Sequence, residues 1–286
     1  MVSPSCRRDA VVHLTVRFNV SERRACKVVG QHRSTQRLAV APPADADLAV
    51  RARLREISSS FPRFGYRKAC AIVRDEGHRV NRKRVQRLWR DEGLRVPPAP
   101  LKRHRVGVSA FPCTRLKADH INHVWALDFL FDATSDGRPL KVLSMCDEFT
   151  RESIGGTVGR SITADDVVAM LEAALLVRGA PGFIRCDNGP EFIAAAIRDW
   201  CRINRIETTY IDPGSPWQNP WVESFNSRAR DELFAREIFD SVRQARFLYS
   251  EWRHVYNHQR PHSSLGYLAP AVFALRCRTI TIAEPS

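Results

Sequence analysis

The chain has 286 residues, enough for two domains, and its 44% hydrophobic content is ordinary for a globular protein rather than a fibrous or disordered one. No apolar run approaches the roughly 20 residues that span a bilayer, and the opening MVSPSCRRDAVVHLTVRF lacks an apolar block with a cleavage site, so a soluble cytoplasmic protein without a membrane partner is expected. The net charge of +14 is unevenly held: residues 1–118 carry 27 Lys/Arg against 9 Asp/Glu, and residues 119–286 carry 18 against 22, which points to a basic half that holds a polyanion.

Residues 21-SERRACKVVGQHRSTQR-37 predict two short helices about a glycine. Ser21 caps the first, Gly30 turns the chain, and Ser34 or Thr35 opens the second. This is helix-turn-helix spacing, although a plain helical hairpin has the same pattern. We assign residues 1–40 to this segment, with Arg33, Ser34 and Arg37 as candidate DNA contacts. The stretch 41-APPADA-46 reads as a linker. A second helical, DNA-binding block is expected over 47–95, with helices in 48-LAVRARLREI-57, 66-YRKACAIVRDEG-77 and 81-NRKRVQRLWRDEG-93. In the last of these Val85, Leu88 and Trp89 form a stripe, while Arg82, Lys83, Arg84, Arg87 and Arg90 cover the remainder. A solvated basic face is the bland reading; so many cations without a compensating acid favour phosphate contact. Arg67, Lys68, Arg82, Lys83, Arg84 and Arg87 are the candidate contacts here. Residues 96–118, rich in proline and basic groups, read as a tether able to lie along a DNA backbone.

Over 119–260 the pattern changes to strands alternating with helices. Three strands (123–132, 140–149 and 153–159) precede a helix over 164–179. Strand 183–188, helix 192–203, strand 206–211, a helix after Pro220 and a long helix near 241–257 follow. The order suits a mixed α/β sheet with helices on both faces. Residues 261–286 read as a C-terminal tail. The eight cysteines stand no closer than 15 residues apart, without the short pairs of a zinc site, so reduced and mostly buried thiols are expected.

Three acids stand out. Asp128 lies inside an apolar strand, where an unpaired charge costs several kcal/mol. Asp187 ends a strand and begins the loop Asn188-Gly189-Pro190, at the sheet edge where ligands bind in α/β folds. Glu223 falls in the first turn of a helix that Asn219 can cap and Pro220 can open, at the rim of the stripe Val222, Phe225, Ala229 and Leu233. Arg230, seven residues on, returns to nearly the same side. Three carboxylates converging there would suit two Mg²⁺ or Mn²⁺ ions rather than zinc.

With 35 residues between Asp187 and Glu223, the three acids resemble the DDE triad of transposases and retroviral-type integrases, and Arg230 matches the basic residue that follows the Glu. The words 125-WALDF-129, 186-CDNGPEF-192, 215-SPWQNPWVESFNSRARDE-232 and 256-YNHQRPHSSLGYLAP-270 resemble OrfB-type transposases of bacterial insertion sequences, as do 21-SERRACKVVGQHRST-35 and 62-PRFGYRKACAIVRDEG-77. The resemblance covers nearly the whole chain. It implies a ribonuclease-H-like core, Mg²⁺-dependent cutting and joining of double-stranded DNA at element ends, assembly of several subunits on DNA, and a possible partner from an upstream reading frame, OrfA. The paired His and Cys of the retroviral zinc module have no counterpart here.

Asp132, Asp136, Asp147 and Glu148 are rival acids at strand ends and turns, and Glu191 could orient Asp187. His254, His258 and His262 are spaced by four, but Pro261 separates the last from the helix. Arg260 and His262 read as DNA contacts or as caps of a fold edge, and Trp217 and Trp221 as packing or as base-stacking groups. Two other functions remain open on sequence: a DNA-binding repressor with a non-catalytic core, and a ribonuclease-H-like nuclease.

Overall fold

A computed structural model describes residues 4–38, 45–94, 96, 116–187, 189, 192, 195–210 and 219–283. Most of the linker at 41–46 and of the tether at 96–118, Glu191, and the loop with Trp217 lie outside the described residues.

Residues 1–49 form one compact unit and 50–286 another. In the first, α1 (Pro4–Phe18), α2 (Glu22–Val29) and α3 (Arg33–Arg37) pack around Val11, Ala25 and Cys26. Ser21 caps α2 by accepting from the Arg24 amide, and Gly30 ends it in the left-handed region that glycine adopts without penalty, both as expected. The second helix departs from expectation. It starts one residue earlier, at Arg33, because His32 occupies the cap and its ring nitrogen accepts from the Ser34 amide.

The second unit begins with a helical block. Helices α4 (Asp45–Ser60), α5 (Tyr66–Asp75) and α6 (Arg82–Asp91) bury Leu54, Ile57, Val73, Val85, Leu88 and Trp89 together. Asn81 caps α6 through the Arg84 amide, which leaves Arg82, Lys83 and Arg87 on the exposed side away from the Val85–Leu88–Trp89 stripe. The helix that the periodicity starts at Leu48 starts instead at Asp45, inside the stretch read as a linker.

The sheet runs in the order β3-β2-β1-β4-β5. Strands β1 (Val124–Ala133), β2 (Pro139–Asp147) and β3 (Ser153–Gly159) are antiparallel neighbours. Strands β4 (Phe183–Cys186) and β5 (Glu207–Tyr210) extend it in parallel with β1. Period-2 alternation divides β1 between the two faces. Trp125 and Leu127 pack with α7 (Ala164–Arg178) and α8 (Ala195–Ile203), while Ala126 and Leu130 pack with α9 (Pro220–Ala229) and α10 (Val242–His258). This is a mixed sheet with helices on both faces, as expected. A single π turn, Arg230–Phe234, continues α9. The residues read as a tail contain a 3-10 turn, Ser263–Leu265, and α11 (Pro270–Ala283), whose Phe273 ring lies 5.8 Å from Phe149 of the core. Its apolar run PAVFALRC has no clear stripe, so periodicity did not announce a helix.

Candidate active site

Asp128 belongs with Ala126 and Leu130 on the face covered by α9, and the sheet register brings a second acid to it. Val124, Trp125 and Ala126 pair with Phe183, Ile184 and Arg185. Continued two residues past that pairing, the register sets Asp187, the first residue after β4, level with Asp128, and neighbouring strands stand about 4.8 Å apart. Ile184 and Cys186 pack on the α7/α8 side, so Asp187 falls by alternation on the α9 side with Asp128. The Gly189 amide donates to Asp187 Oδ1 at 3.0 Å, fixing the carboxylate as the strand turns into its loop.

Helix α9 supplies the third acid. Val222, Phe225 and Ala229 are buried against the sheet, and full burial of side chains the size of Val222 and Phe225 contributes about 1.5–3 kcal/mol each. Glu223, one residue from Val222, stands half-buried at the edge of that contact. Asn219 occupies the cap position without capping: its Nδ2 donates to the Leu127 carbonyl at 3.2 Å, tying the start of α9 to the residue before Asp128. The expected cap is thus replaced by a helix-to-strand tether.

Asp187 and Glu223 are close enough to act on Asp128 electrostatically, although the three carboxylates are not a group whose ligand atoms all lie within 4.8 Å of one another. Burial, then the nearby charges of Asp187 and Glu223, raise the Asp128 carboxyl to about 6, against hydrogen bonds from Asn226 and the Phe129 amide that favour its charged form. Burial raises Glu223. Asn226, which sequence reading passed over, holds Asp128 in place. Its Nδ2 donates to Asp128 Oδ2 at 2.9 Å, its Oδ1 accepts from the Ser144 hydroxyl at 2.6 Å, and Ser144 meets the Tyr249 hydroxyl at 2.9 Å. The signal available was spacing: Asn226 is one turn beyond Glu223 in VESFN, on the same helix side.

The rival acids have structural employment. Asp132 accepts from the Ala133 amide, and Asp136 from the Thr134 hydroxyl and the Arg138 amide in the β1–β2 hairpin. Asp147 is fully buried and accepts from the amides of Asn122, Phe149 and Thr150. Glu148 pairs with buried Arg185. His254 and His258 stack at 4.3 Å, while His262 sits apart against Tyr256. Arg260 is buried and grips Glu232 through the Nε/Nη2 edge of its guanidinium at 2.6–3.1 Å. Its guanidinium also lies 5.7 Å from the Phe64 ring, so it fastens the helical block to the core. Of the candidate DNA contacts, Arg33 and Arg37 both pair with Glu22, Ser34 bonds to His32, and Arg67 donates to the Tyr66 hydroxyl. Lys68 faces the core, 3.9 Å from Glu232. Arg230 is exposed where α9 passes into the π turn.

Among the described residues, one group brings three potential ligand atoms within 4.8 Å of one another: Asp119, His120 and His123, ahead of β1. It mixes nitrogen with oxygen and precedes the first residue of β1, whereas Asp128 lies mid-strand. The carboxylate rim offers oxygen alone.

A mixed sheet with Asp128 on its central strand, Asp187 just past the neighbouring strand and Glu223 on the covering helix is the arrangement expected of a DDE-type polynucleotidyl transferase core. The integrase core domain family matches residues 118–216 and again 204–270, and the HTH-like domain family matches 45–103. The insertion element IS407 uncharacterized 31.7 kDa protein of Burkholderia multivorans is 39% identical over 92% of this chain and 93% of its own length. The IS476 uncharacterized 39.2 kDa protein of Xanthomonas euvesicatoria is 38% identical over 97% and 79%. Transposase InsD for insertion element IS2 of Escherichia coli is 29% identical over 78% and 77%. The chain belongs to this family of insertion-element transposases with an integrase core. The HTH-like match falls on α4–α6 rather than on the α1–α3 segment. No described helix is long and apolar enough to cross a membrane.

Proposed function

We propose that Asp128, Asp187 and Glu223 are the catalytic carboxylates of this transposase and the ligands of two divalent ions, Mg²⁺ or Mn²⁺. The observation that supports the reading is the partly buried Asp128 carboxylate, raised chiefly by burial and further by the charges of Asp187 and Glu223. Such crowding is unfavourable for the free protein and is relieved by a hard cation. Bound there, two such ions would activate a water or hydroxyl and neutralise charge on the leaving oxygen of a phosphodiester.

The protein's own groups orient the reaction. Asn226 fixes the Asp128 carboxylate, the Gly189 amide fixes Asp187, and the Asn219 tether sets the depth of Glu223. Arg230, on the Glu223 side of the helix, steadies a DNA phosphate. Water attacks first and the freed 3′-hydroxyl second, both in line, so no side chain forms a covalent intermediate. The exposed cations of α6, together with Arg33, Ser34, Arg37 and Arg67, hold DNA flanking the cut, and several subunits assemble on the element ends. A partner from an upstream reading frame would add further end recognition. The test is cleavage of labelled DNA carrying the element ends. Cutting is expected with Mg²⁺, to cease in EDTA, and to fall about a hundred- to a thousandfold in Glu223→Gln, in line with the loss of an electrostatic transition-state group. DNA binding without cutting under any divalent ion would favour a repressor instead.

A further inference from the structure

The side of α9 turned away from the carboxylates carries its own chemistry. At about 100° per residue, Glu223, Asn226 and Arg230 share one side of the helix, and Trp221, Ser224 and Arg228 share the other. The second group opens on a recess of about 150 Å³, closed by Lys68 of the helical block, Arg151 beyond β2 and the segment 260–264 after α10. Four cations line it: Lys68, Arg151, Arg228 and Arg260. No described carboxylate does, although the hydroxyls of Ser224, Ser263 and Ser264 and the His262 ring are present.

The cations are held there by packing. The Arg151 guanidinium lies 3.1 Å from the centroid of the Trp221 ring, and Arg260 is clamped by Glu232. Glu232 stands behind the recess and is shared, since Lys68 Nζ is 3.9 Å from the same carboxylate. Two neighbouring groups register the excess charge. Burial and then the positive charges of Arg260 and Arg228 hold Lys68 down to about 7 against Glu232. Burial, Arg260, Lys68, Arg151 and Arg228 hold His262 down to about 3. Cations gathered around a half-enclosed recess repel one another and are stabilised by an anion placed among them.

We propose that this recess binds a backbone phosphate of DNA, separately from the carboxylate rim, with Lys68, Arg151 and Arg228 supplying charge and the serine hydroxyls supplying hydrogen bonds. DNA is the occupant the surroundings select, because the recess joins the HTH-like block, with its exposed Arg82, Lys83 and Arg87, to the helix that carries Glu223. A helix with its side chains is about 10–12 Å across. A strand held here therefore lies one helix diameter from the acids, where it can be positioned but takes no part in the chemistry. The inference rests on the transposase reading.

The full chain is titrated into a fluorescent duplex over a range of salt concentrations, as wild type, Arg228→Gln and the double variant Lys68→Met/Arg228→Gln, with melting curves to confirm folding. Arg228 is exposed, so the single variant is expected to fold as the wild type does. Both variants are expected to bind several-fold more weakly whatever the sequence, and the double variant to flatten the dependence of log K on log salt by about one. Unchanged slopes, with inorganic phosphate protecting only the wild type against melting, would make this a small-anion site and overturn the DNA assignment. Unchanged slopes with no effect of phosphate would reduce the cluster to packing and overturn it too. A wild type that binds no duplex would instead remove the transposase reading, and this inference with it.

Discussion

Asp128 takes a place in β1 where burial favours an apolar side chain, and the metal-free protein should show the cost. Its folded value of about 6 lies above the ordinary carboxylate value of about 3.9. Below pH 4 the group is protonated in folded and unfolded chains alike and contributes nothing. As the pH rises from 4 to 6 the unfolded chain ionises freely while the folded one resists, so stability falls and stays reduced above 6. The difference is at most about 3 kcal/mol. Asp128→Asn keeps an acceptor for Asn226 and removes the charge, so in EDTA at pH 8 it should melt higher than wild type by an amount worth about 1–3 kcal/mol, with the gain gone at pH 4. A lower melting temperature at pH 8 would contradict the burial account. That Asp128 is special was legible in the sequence, since an acid inside WALDF breaks the strand's apolar run. The Asn226–Ser144–Tyr249 chain was not, because its members lie 82 and 105 residues apart from Ser144 and only the fold unites them.

Strand β3 reads SIGGTVG, with two adjacent glycines that weaken a strand and have no turn to make. The packing of α10 explains one of them. A Cβ on Gly156 would stand 2.9 Å from the Tyr249 ring and 3.0 Å from the Leu143 carbonyl, so the missing side chain lets the helix approach and delivers the Tyr249 hydroxyl to Ser144. Gly156→Ala should therefore cost about 1–3 kcal/mol in a denaturant titration, as overpacking does, despite alanine's easier backbone entropy. A neutral or stabilising result would mean that α10 can move aside freely. Elements with a strong period or a cap were legible, among them α2, α5, α6, α7 and the β1–β2 hairpin with Gly137 at positive φ. Helices α1 and α11 lacked a stripe and were not foreseen. Asn219 shows a subtler limit: its position at the start of α9 was read correctly, and its side chain was recruited by Leu127, a partner 92 residues away.

The helical block and the sheet meet through Arg260, which joins Glu232, Phe64 and Tyr256. The motifs 62-PRFGYRK and 256-YNHQRPH are thus two halves of one joint, which is why each looked purposeful in the sequence without revealing its purpose. Arg260→Ala leaves the largely buried Glu232 with Lys68, at 3.9 Å, as its remaining cation, and such a break costs about 3–5 kcal/mol. Hydrogen exchange should accelerate in α5 before it does in β1 and β2; equal protection in the variant would show that other contacts hold the joint. The uneven charge fits the same plan, with cations concentrated ahead of residue 119 and acids behind it. The central claim is that Asp128, Asp187 and Glu223 close on divalent ions. The most direct measurement is anomalous scattering from crystals of the protein grown with Mn²⁺. The expected result is manganese bound by oxygens of all three carboxylates. Manganese at Asp119, His120 and His123 alone, with Glu223 turned from the other two acids, would contradict the account.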